Sequence, residues 1–454
     1  MPRTLTDPLL KASSDTATRR AMSSPERRLS TGSAALLVVA SMVGTGVFTT
    51  TGVLLDAAPS APAVMLVWLL GGLAALAGAL SYAELAAAIP RNGGEYVLLS
   101  RIYHPAVGFV AGFVSLVAGF AAPIAASAIA FAWYLAAAFP AVPTRPAAIG
   151  LIALLTLVHS GRQRLGSRFQ DIFTLSKVVL IVAFIVVGTL RLDPRQLLRG
   201  PPMTELLGTG GIAVGLILVA YAYSGWAAAT YVAGEVRRPA RALPRSLALG
   251  TGLVTALYVG LNAVFLLAAP ASELRGVIEV GHVAATRLLG VEGGRILSVV
   301  IALGLVSTVG ALVMTGPRVS EAMGRDYKRL RFLLRGRPDR NPVLATLLQG
   351  ALAVLLVETT AFESLLGWVG VLLTLSSALT VAGVFVLRAR QPDLPRPYLT
   401  IGYPVTPCVF LALAGWMITS AVIERPAIVL ASLATVALGG VLYLLASRPI
   451  IRSG

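Results

Sequence analysis

From Ser33 almost to the end of the chain, long apolar runs alternate with short clusters of charge, proline and glycine. A bilayer core about 30 Å thick takes roughly 20 apolar residues per spanning helix, so each run predicts one transmembrane helix. The runs fall at 33–55, 62–89, 106–139, 145–160, 169–190, 207–234, 244–269, 295–317, 342–358, 362–387, 403–423 and 426–446. They predict an all-α integral membrane protein of twelve spans. The first 30 residues are polar and basic, and the apolar stretch that follows lacks an A-x-A-like cleavage site. This predicts a retained cytosolic tail rather than a signal peptide.

Charge tests the span count, because short cytoplasmic loops collect Lys and Arg. With the N-terminus placed inside, 28 basic residues fall in cytosolic segments and 8 in outside loops, leaving only Lys177 within a span. Both termini are then cytosolic. The formal net charge of +17 follows from this orientation and from contact with anionic lipid headgroups, and gives no support to nucleic-acid binding. The densest basic run, Arg325 to Arg340, serves as a topology anchor.

Only 13% of the 454 residues are charged and 56% are hydrophobic, which excludes a water-soluble globule. One cysteine, Cys408, excludes a disulfide framework, and His104, His159 and His282 are too far apart in sequence for a local metal cluster. No phosphate-binding GxxxxGK[ST] loop occurs. No cofactor and no enzymatic activity are expected.

Two stretches that place glycine in mid-run stand out. The first span contains Met42-Val43-Gly44-Thr45-Gly46-Val47-Phe48, and the sixth Tyr221-Ala222-Tyr223-Ser224-Gly225-Trp226. Either glycine alone serves equally well in helix packing. The pair says more, because the two spans lie five apart and enter the bilayer from opposite sides. That relation makes them counterparts in an inverted five-plus-five repeat, the design in which unwound helices place a substrate between free N–H groups and free carbonyls. An α-amino acid presents the carboxylate and ammonium that match.

Ser81-Tyr82-Ala83-Glu84-Leu85, followed by Ile89-Pro90-Arg91-Asn92-Gly93-Gly94-Glu95-Tyr96, resembles the signature of the amino acid–polyamine–organocation transporters. So do Gly44-Thr45-Gly46, Glu235 with Pro239, Arg241 and Pro244, Arg318 with Ala322-Met323-Gly324-Arg325-Asp326, and Arg396-Pro397-Tyr398. The similarity covers about residues 30 to 445 and is nearest to the L-type amino acid transporters and bacterial exchangers. It implies a leucine-transporter-like fold, with a tail at 1–30, repeats at 31–200 and 201–390, and two further spans at 391–454.

The resemblance also implies a site. Thr45 and Gly46 would bind the substrate carboxylate, and the carbonyls of Met42 and Tyr221 its ammonium, with Gly44, Ser224 and Gly225 completing the substrate-binding stretch. Tyr221 would be the aromatic gate. Thr45 stands where the family often has serine, which keeps the hydroxyl.

Lys177 is singled out by composition as well as by position. The chain has three lysines and 34 arginines, so a lysine here suggests a role for a compact, titratable ammonium. Snorkelling toward the nearer membrane face is the alternative. Within the resemblance, Lys177 stands where sodium-coupled relatives hold an ion and bridges a helix 1 carbonyl to a helix 8 hydroxyl. Gly44 and Thr308 are the nearest candidates, with Ser307 as a substitute.

A cationic substrate would need a buried carboxylate, and Glu84, Asp171 and Glu235 all lie toward span ends. Small residues at Gly310, Ala311, Ser115, Gly119 and Ala122 predict a small, moderately apolar pocket. The expectation is a sodium-independent transporter of neutral L-amino acids in the cytoplasmic (inner) membrane of a GC-rich prokaryote, working as exchanger or proton symporter. Cationic amino acid or polyamine exchange is the alternative, with a non-transporting sensor or a membrane enzyme further behind. The loop 139–146 lacks the cysteine through which eukaryotic relatives bond a glycoprotein, so no covalent heavy-chain partner is expected.

Overall fold

A computed structural model describes residues 29–160, 167–193, 195, 197, 211–334 and 342–446, with side chains of the helix that begins at Ser167 described from Thr174. The tail 1–28, the last eight residues, the basic residues Arg162, Arg164, Arg199, Arg335, Arg337 and Arg340, and the side chains of Arg168 and Asp171 lie outside that description.

The regular secondary structure among the described residues is helical, apart from one isolated bridge between Leu29 and Val236. In chain order the helices are α1 (Thr31–Met42), α2 (Gly46–Ala57), α3 (Ala61–Ala88), α4 (Gly94–Ile102), α5 (Pro105–Ala138), α6 (Thr144–Ser160), α7 (Ser167–Arg191) and α8 (Gly211–Tyr223). They continue with α9 (Ala228–Tyr231), α10 (Pro239–Ala268), α11 (Val280–Thr315), α12 (Pro317–Asp326), α13 (Val343–Thr359), α14 (Phe362–Arg390), α15 (Val405–Glu424) and α16 (Pro426–Ala446). Among the described residues eight helices are long and apolar enough to cross a membrane, and α1 with α2, bent by 41°, makes a ninth if the pair is one span. Three shorter apolar helices, α6, α8 and α13, accompany them. The chain is a multi-pass membrane protein.

Helix ends depart from the apolar runs where polar residues find partners. The run ending at 317 was expected to open at 295, but α11 starts at Val280 and kinks at Gly290. Its first turns bury Val280, Ala284 and Ala285, and polar residues among them find partners: Arg287 binds Glu273, and His282 Nδ1 meets Ser298 Oγ at 2.9 Å. Likewise α10 begins five residues early, with Pro239 at its first position, where the missing N–H costs nothing. Within α5, residues Ser115–Ala121 form a π-helical stretch, the wide turn that often accompanies a functional site in a long helix.

Two polar clusters hold helix ends together. Glu84 near the end of α3 is 1% exposed and accepts a bidentate pair from Arg388 of α14 at 2.8 and 2.7 Å. The Thr400 amide and hydroxyl, each at 2.7 Å, complete its shell. Arg388 also stacks 3.6 Å over the Tyr403 ring. Arg396 donates to the carbonyls of Leu387, Gln391, Pro392 and Leu394, closing the open C-terminus of α14. The motif Arg396-Pro397-Tyr398 thus has a local structural cause.

Candidate functional site

α1 ends at Met42 and α2 starts at Gly46, with Val43–Thr45 joining them in non-regular backbone. α8 ends at Tyr223, and a turn over 224–227 leads into α9. The two breaks meet. A Cβ on Gly46 would stand 2.4 Å from Ala222 Cα, so only glycine lets α2 approach α8 this closely. Gly225, at φ +98°, lies against Ser41, where a Cβ would come 2.5 Å from the carbonyl oxygen. Gly46 and Gly225 therefore seat one broken helix on the other, whereas Gly44 faces Thr308 of α11.

Around this junction lies a cavity of about 530 Å³, lined by Met42, Gly44, Thr45, Gly46 and the stretch Tyr221–Gly225. α5 contributes Gly119, Phe120, Pro123 and Ser127, α11 contributes Thr308, Leu312 and Thr315, and α14 contributes Leu373, Thr374 and Ser377. Gly310, Ala311, Ser115 and Ala122 do not line it: Gly310 faces the His159 ring and Ser115 the Tyr231 hydroxyl. The cavity runs to Leu29, Ser33, Glu235 and Arg318, where Ser33 and Arg318 are exposed. On the opposite side no residue of α2 beyond Gly46 reaches it. There α2 is tied down, with Tyr134 donating to the Phe48 carbonyl at 2.7 Å and the Gly276 amide to the Gly52 carbonyl at 2.9 Å.

The amides of Gly46 and Val47, at the start of α2, have no carbonyl one turn back to receive them, whereas that of Phe48 donates to the Thr45 carbonyl at 3.0 Å; the positive end of the helix dipole opens beside the cavity at Gly46. The Thr45 hydroxyl is hydrogen-bonded to Ser127 of α5, and the Tyr221 hydroxyl faces the same pair. Tyr221 is 5% exposed. Among the carbonyls expected to receive an ammonium, that of Met42 already accepts the Gly44 amide at 2.7 Å and the Tyr258 hydroxyl. Both its lone pairs are engaged, whereas the Tyr221 carbonyl accepts only the Ser224 amide, at 3.0 Å, among the described contacts.

Lys177 is 6% exposed and sits behind the break of α1. Its Nζ donates to Thr308 Oγ1 at 2.8 Å and to the carbonyl of Val43 at 3.2 Å. The helix 1 acceptor is therefore Val43 rather than Gly44, because the backbone turns between them and the Gly44 amide folds back onto Met42. Thr308 passes its own proton to the Gly304 carbonyl at 3.2 Å, leaving its oxygen free to accept from the ammonium. Ser307 Oγ is buried without a partner. The lysine stem lies along Gly304 and borders a separate small cavity of about 230 Å³.

The structure adds residues that sequence reasoning passed over. Ser127 pairs with Thr45, Tyr258 fixes the end of α1, and Glu95 brings a buried carboxylate to the cavity wall where none was expected. Ser127 is one of many small residues in span 3, and nothing in its sequence context distinguishes it. Glu235 bonds Asn92 at 3.1 Å and lies 3.8 Å from Arg318, at the mouth. Among the described residues no group of three or more His, Cys, Asp or Glu gathers in metal-binding geometry.

Two broken helices abutting at a cavity that opens on one face, with an ammonium fixed between one break and a neighbouring helix, define a membrane carrier. The sequence model of the family described as "Amino acid permease" matches residues 29–443. The serine/threonine exchanger SteT of Bacillus subtilis (strain 168) is 30% identical over 386 residues, covering 84% of this chain and 87% of its own. Large neutral amino acids transporter small subunit 2 of Oryctolagus cuniculus is 29% identical over 393 residues, covering 84% and 73% respectively. The b(0,+)-type amino acid transporter 1 of Mus musculus is 26% identical over 401 residues, covering 86% and 82%. The chain belongs to the amino acid permease family of the amino acid–polyamine–organocation superfamily, in the branch that holds the L-type transporters and bacterial exchangers. It is an amino acid transporter, not an enzyme.

Proposed function

We propose that this transporter moves neutral L-amino acids across the cytoplasmic membrane without sodium, by alternating access, on twelve spans arranged as an inverted five-plus-five repeat with both termini cytosolic. The three short helices α6, α8 and α13 supply the remaining spans, and the cavity as it stands faces the cytosol beside Leu29 and Arg318. Thr45, Gly46 and the opening amides of α2 take the substrate carboxylate. The Tyr221 carbonyl takes the ammonium, and its ring closes over the bound molecule.

The observation that carries the sodium-independent part is the Lys177 ammonium bridging Val43 and Thr308. A protein-borne cation joining the break of α1 to α11 leaves no need for a dissolved one. Neutral substrates fit the carboxylates on the cavity wall, because both are already engaged. Glu95 accepts hydroxyl donors, and Glu235 lies with Asn92 and Arg318. A buried cationic side chain would require one of them free. A stand-alone carrier fits the cysteine-free loop 139–146.

Purified protein in proteoliposomes, assayed without sodium against labelled neutral, acidic and basic amino acids, tests the proposal. Uptake of one or more neutral amino acids into vesicles loaded with unlabelled amino acid is expected. Flux that needs sodium, or that is confined to basic amino acids and polyamines, overturns it.

A further inference from the structure

The buried carboxyl of Glu95 on the cavity wall contacts no part of the proposed carboxylate- and ammonium-binding stretch, Thr45, Gly46 and Tyr221. It heads α4 directly after the left-handed pair Gly93–Gly94, and the turn carries it beneath the end of α3. Tyr82 of α3 donates to Oε1 at 2.5 Å, Ser376 of α14 donates to Oε2, and Ser377 reaches Oε1 at 3.5 Å. Glu95 is 5% exposed, yet it forms part of the central cavity wall.

The elements packed around this carboxyl, α3, α5, α9 and α14, offer it two phenols, Tyr82 and Tyr231, and the hydroxyls of Ser376 and Ser377. On α4 itself the neighbouring titratable group is Tyr96, which bonds Asp326. Among the described residues no Lys, Arg or His acts on Glu95. Glu84, eleven positions earlier, shows the contrast: two arginines surround it, at 2.7 and 3.9 Å. A carboxylate held by an arginine stays ionised, whereas one desolvated among hydroxyls is driven to bind a proton. Burial accordingly pushes the Glu95 carboxyl above its ordinary value, against the pull of its hydroxyl donors.

We propose that Glu95 is the proton-carrying group of the transport cycle, exchanging one proton with the cavity as the elements around its carboxyl move. The inference rests on the transport reading above and names a site for the proton in it. Its donors come from separate helices, α3 and α14, with Tyr231 of α9 alongside. Any widening or narrowing of the cavity mouth between these helices changes how many donors reach the carboxylate, and so its hold on the proton. The O–H bond forms with a proton from cavity water and breaks to return it, with no redox partner. Lys177 is less suited to this exchange, because it does not line the central cavity and its ammonium is occupied by Val43 and Thr308.

The test compares wild type with Glu95→Gln, which keeps the shape and one acceptor oxygen but holds no titratable proton, and with Glu95→Asp. Exchange of labelled L-serine and L-leucine is measured in proteoliposomes from pH 5 to 9. The wild-type rate is expected to change with pH by up to about tenfold per unit on the limiting side of one titration. Glu95→Gln is expected to give a flat profile, and Glu95→Asp a displaced one. Identical profiles for wild type and Glu95→Gln overturn the proposal, as does a loss of basic-substrate uptake in Glu95→Gln with the pH profile intact, which would make Glu95 a substrate contact. If the variants do not transport, pH-difference infrared spectra of the wild type against Glu95→Gln decide. A protonated carboxyl band absent from the variant, with a midpoint that shifts on adding saturating L-serine, supports the assignment. A band indifferent to L-serine overturns it. The band is read without flux, so a wild type that transports nothing counts against the transport reading and not against the titration.

Discussion

At the scale of single residues, the site is a set of hydrogen-bonding groups whose partners are largely already chosen. The Tyr221 ring occupies the wall beside the Thr45–Ser127 hydroxyl pair. Tyr221→Ala removes the ring that covers this place while leaving the backbone carbonyl. Its expected effect is apparent affinity weakened by about tenfold or more, from a lost aromatic contact of order 1–3 kcal/mol, with substrate leak. Competition uptake measures it, and an unchanged affinity would assign the gate elsewhere. Glu95 gives a prediction with a definite sign. Burial lifts its carboxyl above an ordinary value near 4.5, so between those two values the folded protein holds a proton that the unfolded chain has lost. The resulting penalty on stability is absent below pH 4.5 and fully present above the folded value. The melting temperature of wild type should therefore fall relative to Glu95→Gln as pH rises through this window. A constant difference would show that the residue does not titrate there.

Lys177 was legible in the sequence because it is a rare residue in an improbable place, one of three lysines and alone inside an apolar run. Its partner Thr308 follows from the resemblance, but the carbonyl does not. Whether Val43 or Gly44 presents its oxygen depends on how the backbone turns between α1 and α2, which one-dimensional pattern does not encode. Glu95 was written into a motif yet was not recognised as a cavity residue. Its place depends on α4 folding back under α3 and α14, a tertiary event with no periodicity of its own.

At the scale of elements, mid-run glycines marked the breaks, and the structure gives their reason in the contact of Gly46 with Ala222 and Gly225 with Ser41. Gly225→Ala must place a Cβ against a backbone carbonyl at positive φ, and small-to-large changes in such packing cost about 1–3 kcal/mol. The expected outcome is a lowered melting temperature together with lost transport, read on purified protein. Normal stability and normal flux would mean that the two breaks do not abut. The ends of α3 and α14 depend on the Glu84–Arg388 pair. Arg388→Ala leaves a buried carboxylate with its principal counter-charge gone, a loss of about 3–5 kcal/mol, and should reduce folded yield more than Glu84 and Arg388 replaced together by Gln and Met. An equal loss in both would remove the pair from the account of stability. The early start of α11 escaped the sequence because Glu292, Gly293, Gly294 and Arg295 interrupt the apolar pattern just before the run, although Val280, Ala284 and Ala285 ahead of them are buried in the core.

At the scale of the whole molecule, the cavity opens on one face and is closed on the other by different means. On the open face the mouth is bordered by Leu29, Glu235 and Arg318, where the Leu29 amide donates to the Glu235 carbonyl at 3.0 Å and the Arg237 amide to the Leu29 carbonyl at 2.8 Å. On the closed face α2 is bound to α5 and to the segment before α11. Under the alternating access we propose, a shift of α1 and α9 against α5 and α11 reverses the opening. Lys177 spans that division, joining the α1 break to α11 through its ammonium. The central claim is that this ammonium does the work that a bound sodium ion would otherwise do. The most direct test is sodium-free uptake of labelled neutral amino acids into loaded proteoliposomes by wild type and by Lys177→Ala, each repeated with sodium. The account predicts equal wild-type rates with and without sodium. It also predicts a loss of at least about tenfold in Lys177→Ala, matching one or two buried acceptors left unpaired, in a protein that still folds. A wild type that requires sodium, or a folded Lys177→Ala that transports at the wild-type rate, would contradict it.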